Sequence, residues 1–178
     1  EELLKDRRGN LTLTNINGLC RIALDKLKKT YEQDIQEKNI RIVFDNLTLS
    51  LMMEVNVEQF SKVLAGILKN SMYALLKKSE TVTFSPEIFL GLKVNKDMLE
   101  ITIRDNGSGI DENIKDKIFA PFFTTKTTGE AAGVGLYLCR EIVQNHRGTI
   151  EVESKKGEYT QFLITIPVYQ PKTITPPK

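Results

Sequence analysis

An α/β (α+β) two-layer sandwich, with a mixed, mostly antiparallel sheet and helices on one face, is the fold this sequence predicts. Three observations carry the prediction. Segments with apolar residues at helical spacing are interleaved with segments that alternate apolar and polar residues. The last two strand patterns, 149–154 and 160–166, are separated only by a turn around Lys155-Lys156-Gly157, so they form a hairpin and the sheet cannot be purely parallel. The chain has 178 residues, 40% apolar and 27% charged, which suits one packed core.

Each element has its own justification. Residues 1–10 are charged and weakly periodic, the end of an upstream linker or helix, and 11–13 form a short strand. Ile16, Leu19, Cys20, Ala23, Leu27, Tyr31 and Ile35 recur at spacings of three and four, predicting an amphipathic helix over 15–38. A strand over 40–44 ends at the turn-prone Asp45-Asn46. The next helix runs to about Lys78. Asn56 is its N-cap, Gln59 completes a capping box, and Val55 with Phe60 forms a hydrophobic staple. Residues 87–94 and 98–104 make a hairpin turning at Asn95-Lys96-Asp97, and 111–118 is a short helix. A helix over 135–146 is closed by Gly148 as a left-handed cap and leads into the final hairpin. The core domain is therefore 11–167. The tail over 168–178 is Pro-rich and expected to be disordered.

Composition excludes several classes. A net charge of +2, with basic residues scattered, disfavours nucleic acid as a partner. Cys20 and Cys139 lack CxxC spacing and fall on apolar helix faces, so buried free thiols and a reducing, cytoplasmic setting are expected. The sequence has no run of eighteen apolar residues and no signal-peptide pattern, although a longer parent could be membrane-anchored.

Four features point to chemistry. Asp105, at a strand end, opens Asp105-Asn106-Gly107-Ser108-Gly109, where a rigid carboxylate can accept a hydrogen bond from an amino group such as that of adenine. Gly107 and Gly109 allow a sharp turn and a close approach to a flat ligand; the same five residues would also suit an ordinary turn. Gly133-Val134-Gly135 precedes a helix, whose N-terminal amides favour a polyphosphate, although a hinge into a plain helix fits equally. Between them, 121–132 is rich in Thr and Gly and carries Lys126, a composition suited to a lid with a phosphate-seeking lysine or to a solvated loop. Asn70 falls with Gly66, Tyr73 and Lys77 on the flank of an apolar helical stripe. Its amide oxygen could meet Mg²⁺ there or simply sit satisfied at the core boundary.

In order, the asparagine helix, D-N-G-S-G, I-F-A-P-F-F-T-T-K and G-V-G-L resemble the N box, first glycine box, F box and second glycine box of sensor histidine kinases. The similarity runs from about Leu11 to Pro167 and takes in the run I-V-Q-N-H-R-G-T-I-E-V-E-S. It implies the Bergerat-type ATP-binding fold shared in outline with the Hsp90, gyrase and MutL ATPases, with ATP and Mg²⁺ as cofactors. Carried over by motif, Asn70 is the Mg²⁺ ligand and Asp105 reads adenine. Gly107, Gly109 and Ile110 shape the purine pocket, Thr125 and Lys126 face the phosphates, and Gly133, Val134, Gly135 and Leu136 cradle them. The family's hydrolytic members carry a glutamate where this chain has Gly66, which leaves no hydrolytic base. Tyr73 and Ala74 replace a common lysine-tyrosine pair, and Ala131 and Ala132 stand where glycine and threonine are usual. The resemblance implies that His146, the sole histidine, is structural. The phosphoacceptor and dimerisation domain then lies upstream or on another chain. The implied partners are that domain and a response regulator, with a homodimeric parent and a monomeric fragment.

Overall fold

Inward-facing apolar residues at every second position organise a five-stranded sheet in the order β2-β4-β5-β7-β6. Its strands are β2 (Arg41–Asp45), β4 (Glu87–Asn95), β5 (Met98–Asp105), β6 (Thr149–Lys155) and β7 (Tyr159–Pro167). β2 runs parallel to β4 and every other pairing is antiparallel, so the sheet is mixed as expected. The structure, a computed structural model, describes residues 9–121, 123 and 135–168. Along β5 the buried positions are Leu99, Ile101, Ile103 and Asp105; along β7 they are Thr160, Phe162, Ile164 and Ile166. Two polar residues thus occupy inward positions at one end of the sheet.

Helices α1 (Ile16–Thr30), α3 (Val57–Ser79) and α4 (Leu136–Asn145) bring the opposing layer. The buried stripe of α3 is Phe60, Val63, Leu64, Ile67, Leu68, Ser71, Met72 and Leu75, the 3.6-residue pattern its sequence predicts. Each such aliphatic side chain stabilises the fold by roughly 1.5–3 kcal/mol relative to exposure. Cys20 and Cys139 are free thiols within this core, and burial pushes both up to about 12, so neither is a ready nucleophile. Among the described residues no helix is long and apolar enough to cross a membrane.

Several expectations need correction. The helix over 15–38 is interrupted at Tyr31, and a short α2 (Glu32–Glu37) follows. The Thr30 hydroxyl donates to the Lys26 carbonyl at 2.8 Å, the back-bonding that bends helices. A strand unread in the sequence, β3 (Met52–Val55), pairs antiparallel with β1 (Thr12–Asn15) in a separate two-stranded sheet. In place of a helix over 111–118 there is only a 3₁₀ turn, Lys115–Lys117. The reciprocal capping box is half formed: Asn56 Oδ1 accepts from the Gln59 amide at 3.0 Å. The Asn56 amide, however, donates to His146 Nε2 at 3.1 Å rather than to Gln59.

The end of α4 differs in an instructive way. The Gly148 amide donates to the Val143 carbonyl at 3.0 Å and the Arg147 amide to the Gln144 carbonyl at 2.9 Å, a Schellman ending. Its left-handed residue is Arg147, at φ 60°, and not Gly148. Gly148 is required for a different reason: a Cβ there would lie 2.4 Å from the Thr165 carbonyl oxygen. The expected disordered tail and upstream segment fall almost wholly outside the described residues.

Candidate functional site

Asp105 is the last residue of β5, and inward alternation drives its carboxyl into the core, where it is 1% exposed. Oδ1 accepts from the Gly107 amide at 2.9 Å. Oδ2 is buried and accepts no hydrogen bond among the described residues. The Ser71 hydroxyl, one helical turn before Leu75, lies near enough to lower the carboxyl's pKa, yet it also completes no hydrogen bond. We therefore treat Ser71 as a neighbouring dipole rather than a partner. Burial raises the Asp105 pKa from 3.8 to about 7, against the lowering influence of the Gly107 amide, Ser71, Lys78 and Arg104. A buried carboxylate oxygen without a donor is costly unless a ligand supplies one.

The loop after Asp105 is fixed from three sides. Asn106 Oδ1 accepts from the Glu87 amide at 2.8 Å while its Nδ2 donates to the Ser85 carbonyl at 2.8 Å, clipping the loop to the start of β4. Lys78, stacked 4.4 Å from the centre of the Phe84 ring, donates to the Asn106 carbonyl at 2.9 Å. A Cβ on Gly107 would lie 2.6 Å from the Ala74 carbonyl carbon, and the Ser108 amide donates to the Ala74 carbonyl at 3.1 Å. Gly109, at φ 68°, leaves no room for a Cβ beside the Lys155 carbonyl. The missing side chains of both glycines thus admit protein backbone, which docks the loop on α3 and on the β6–β7 hairpin. Ile110 packs against the core and its amide donates to Ser154 Oγ at 2.8 Å.

Asn70 is half-buried on α3, one turn ahead of Ala74 and so on the side that meets this loop. Its amide forms no described hydrogen bond, which leaves the oxygen available. Among the described residues no group of three or more His, Cys, Asp or Glu could hold a metal ion. The Asn70 amide oxygen is a neutral oxygen donor, and Asn70 is the residue that would hold Mg²⁺ if the phosphates of a bound nucleotide supplied further oxygens.

Gly135 is the exposed N-cap of α4, with no acidic residue in the first turn and, among the described residues, no side-chain cap and nothing within 4 Å of a Cβ position. Leu136 anchors the first turn against the core. Among the described residues nothing pairs with the first amides of this helix end or compensates its positive dipole. Phe119 joins α4 to the sheet, its ring edge-on to Phe162 at 6.3 Å and beneath Arg140 at 5.6 Å. Thr125, Lys126, Gly133 and Val134 lie outside the described residues.

His146 is fully buried. Its Nδ1 meets the Ile142 carbonyl at 2.8 Å and its Nε2 accepts from Asn56, which fixes a neutral ring with the proton on Nδ1. Phe60 stands edge-on at 5.4 Å. With both nitrogens engaged it ties the end of α4 to the start of α3, the structural role its sequence position implied.

Ser71, Ser154 and Thr160 were missed in the sequence. Thr160 pairs with Asp105 across the β5–β7 ladder and is 2% exposed. A signal existed: Thr160 shares its alternation with Phe162, Ile164 and Ile166, and Ser154 shares Ile150's, so both are polar residues at inward positions.

Known proteins resemble this chain in sequence and in fold. Residues 56–170 match the family described as "Histidine kinase-, DNA gyrase B-, and HSP90-like ATPase". Cyanobacterial phytochrome A of Nostoc sp. is 35% identical over 149 residues, covering 82% of this chain and 18% of that protein. Sensor histidine kinase ZraS of Salmonella typhi is 28% identical over 167 residues, 94% of this chain and 33% of that protein. The chain thus spans only a fifth to a third of the length of these relatives. The solved catalytic domain of histidine kinase ThkA superposes with a TM-score of 0.71 at 28% identity, covering 89% of this chain and 95% of that one. The chain belongs to the histidine kinase-, DNA gyrase B- and HSP90-like ATPase family, and within it is an ATP-binding catalytic domain of the sensor histidine kinase type.

Proposed function

We propose that this domain holds Mg-ATP and presents its γ-phosphate to a histidine on a phosphoacceptor and dimerisation domain of the parent protein, for onward transfer to a response regulator. The buried Oδ2 of Asp105, without a donor among the described residues, carries the reading, because such an acceptor is complementary to the exocyclic amine of adenine. In this scheme Asp105 binds and orients the base. The loop held by Asn106, Lys78 and Ala74 keeps that carboxyl fixed. The amides at the start of α4, with Gly133, Val134, Gly135 and Leu136, would receive the phosphates, which Thr125 and Lys126 would face. Asn70 would hold Mg²⁺, which would supply charge neutralisation at the phosphates. The domain's contribution is positioning and charge neutralisation, with the acceptor nitrogen attacking in line as the β–γ bridging oxygen leaves.

His146 is no candidate acceptor, since both ring nitrogens are committed. Gly66, Ala131 and Ala132 motivate a second reading, a nucleotide-responsive interaction module without phosphotransfer. Incubation with labelled ATP, Mg²⁺ and an acceptor-helix fragment separates the two. Transfer of label to the fragment supports the kinase. Nucleotide binding without transfer to an acceptor that a related kinase does label favours the module, and no binding of ADP at all would sink both.

A further inference from the structure

The hydrogen bonds around Ser154 can be assigned completely. A serine hydroxyl has one proton and two lone pairs. Ser154 Oγ lies 2.7 Å from the Tyr159 carbonyl, which can only accept, so the serine proton is committed there. The Ile110 amide takes one lone pair at 2.8 Å. The contact with Thr160 Oγ1, at 3.0 Å, must therefore use the threonine's proton and the serine's last lone pair. Ser154 is saturated, and Thr160 has no proton left to offer elsewhere.

This matters because of where Thr160 sits. It is the direct partner of Asp105 in the β5–β7 ladder, on the same inward face, and such pairs have Cβ atoms roughly 4.5–5.5 Å apart. Among the described residues Asp105 Oδ2 has no donor, and Thr160 Oγ1 is left with lone pairs alone. Both ends of this small polar patch are acceptors.

We infer that Ser154 is a positioning residue that sets the polarity of the base pocket. By taking the Thr160 proton, it leaves Thr160 and the ionised Asp105 as paired acceptors that favour an amino-bearing purine edge over a 6-oxo edge. The assignment rests on the nucleotide-binding reading proposed above and concerns how that site discriminates. It also joins discrimination to loop placement, since the same Ser154 oxygen holds the Ile110 amide at the end of the Asp105 loop. A freely rotating Thr160 hydroxyl could donate to Asp105 or to a 6-oxo group, and the distinction would blur.

The test is calorimetric titration, at pH 8 where Asp105 is ionised, of ADP and of inosine diphosphate, its 6-oxo counterpart, into the whole chain. Wild type binds ADP more tightly. In Ser154→Ala the ratio of the two dissociation constants contracts by about tenfold, the scale of one misplaced hydrogen bond in a buried site. Ser154→Thr, which keeps a hydroxyl, retains the wild-type ratio. A serine with a merely structural role would weaken both ligands in parallel, so an unchanged ratio in Ser154→Ala overturns the assignment, as does a ratio lost equally in Ser154→Thr. If Ser154→Ala does not fold, Thr160→Val takes its place by removing the acceptor while keeping the shape. Its ratio must contract, and a preserved ratio overturns the inference. A wild type that binds no ADP removes the proposed function and this assignment together. Ordinary ADP binding with no change in ratio removes the assignment alone.

Discussion

Replacing Asp105 with asparagine should stabilise the protein at neutral pH while disabling its ligand site, and the size of the effect follows from burial. The carboxyl is raised from 3.8 to about 7 because its charged form is desolvated. That gap corresponds to ~4 kcal/mol against the folded state at pH well above 7. Between pH 4 and 7 the folded state holds a proton that the unfolded state has lost, so unfolding free energy falls as pH rises, by ~1.4 kcal/mol per pH unit. The penalty is absent below pH 4 and complete above pH 7. Asp105→Asn removes the charge but places amide protons where Oδ2 was, with the unpartnered Ser71 hydroxyl as acceptor. A gain of about 2–4 kcal/mol at pH 8, vanishing near pH 4.5, is expected. Urea unfolding of both proteins across pH 4.5–8.5 measures it. A stability difference that does not change with pH refutes the reasoning. In the proposed site adenine is bound by the ionised carboxyl, so wild-type ADP affinity should fall about tenfold per pH unit below 7. Asp105→Asn should lose ADP binding at every pH.

Four further substitutions probe separate parts of the site and frame. Asn70→Ala should weaken ATP binding by about tenfold only when Mg²⁺ is present, with metal-free ADP affinity kept, as read by titration with and without Mg²⁺; equal losses in both would remove Asn70 from the metal. His146→Ala strips the cap from Asn56 and opens a cavity beside Phe60, at about 2–4 kcal/mol in chemical denaturation. A loss below ~0.5 kcal/mol would mean that this link between α3 and α4 carries little. Gly148→Ala should cost about 1–3 kcal/mol because its Cβ would meet the Thr165 carbonyl, whereas Gly135→Ala, whose Cβ would meet none of the described residues, should cost less than ~1 kcal/mol. Equal melting temperatures for the two glycine variants would contradict the packing described.

Much of the candidate site was legible because its parts are contiguous. Asp105 follows a strand pattern that ends at it, and strand alternation alone predicts an inward carboxyl there. Asn70 could be placed on the flank of the α3 stripe by helix geometry, and the structure finds it half-buried, one turn from Ala74. Less legible was why the glycines are glycines. Gly107 and Gly109 read as concessions to a ligand, yet their open positions are taken by Ala74 and Lys155 of the protein itself. Strand β3 escaped notice because its four residues show only two inward positions, Met53 and Val55, too few for a period to declare itself.

The sequence by itself determined the sandwich, the sheet's final hairpin, the long α3 helix and the order of the ligand motifs, because periodicity and turn chemistry act over a few neighbouring residues. Only the tertiary structure decided that Arg147 takes the left-handed position at the end of α4 while Gly148 makes room for β7. The same holds for the cap that His146 supplies to Asn56 from 90 residues away, and for the surrender of the Thr160 proton to Ser154. Each of these depends on which groups are left without partners once distant segments meet. Hydrogen-bond satisfaction in a buried interior is settled by the whole packing and not by any one segment.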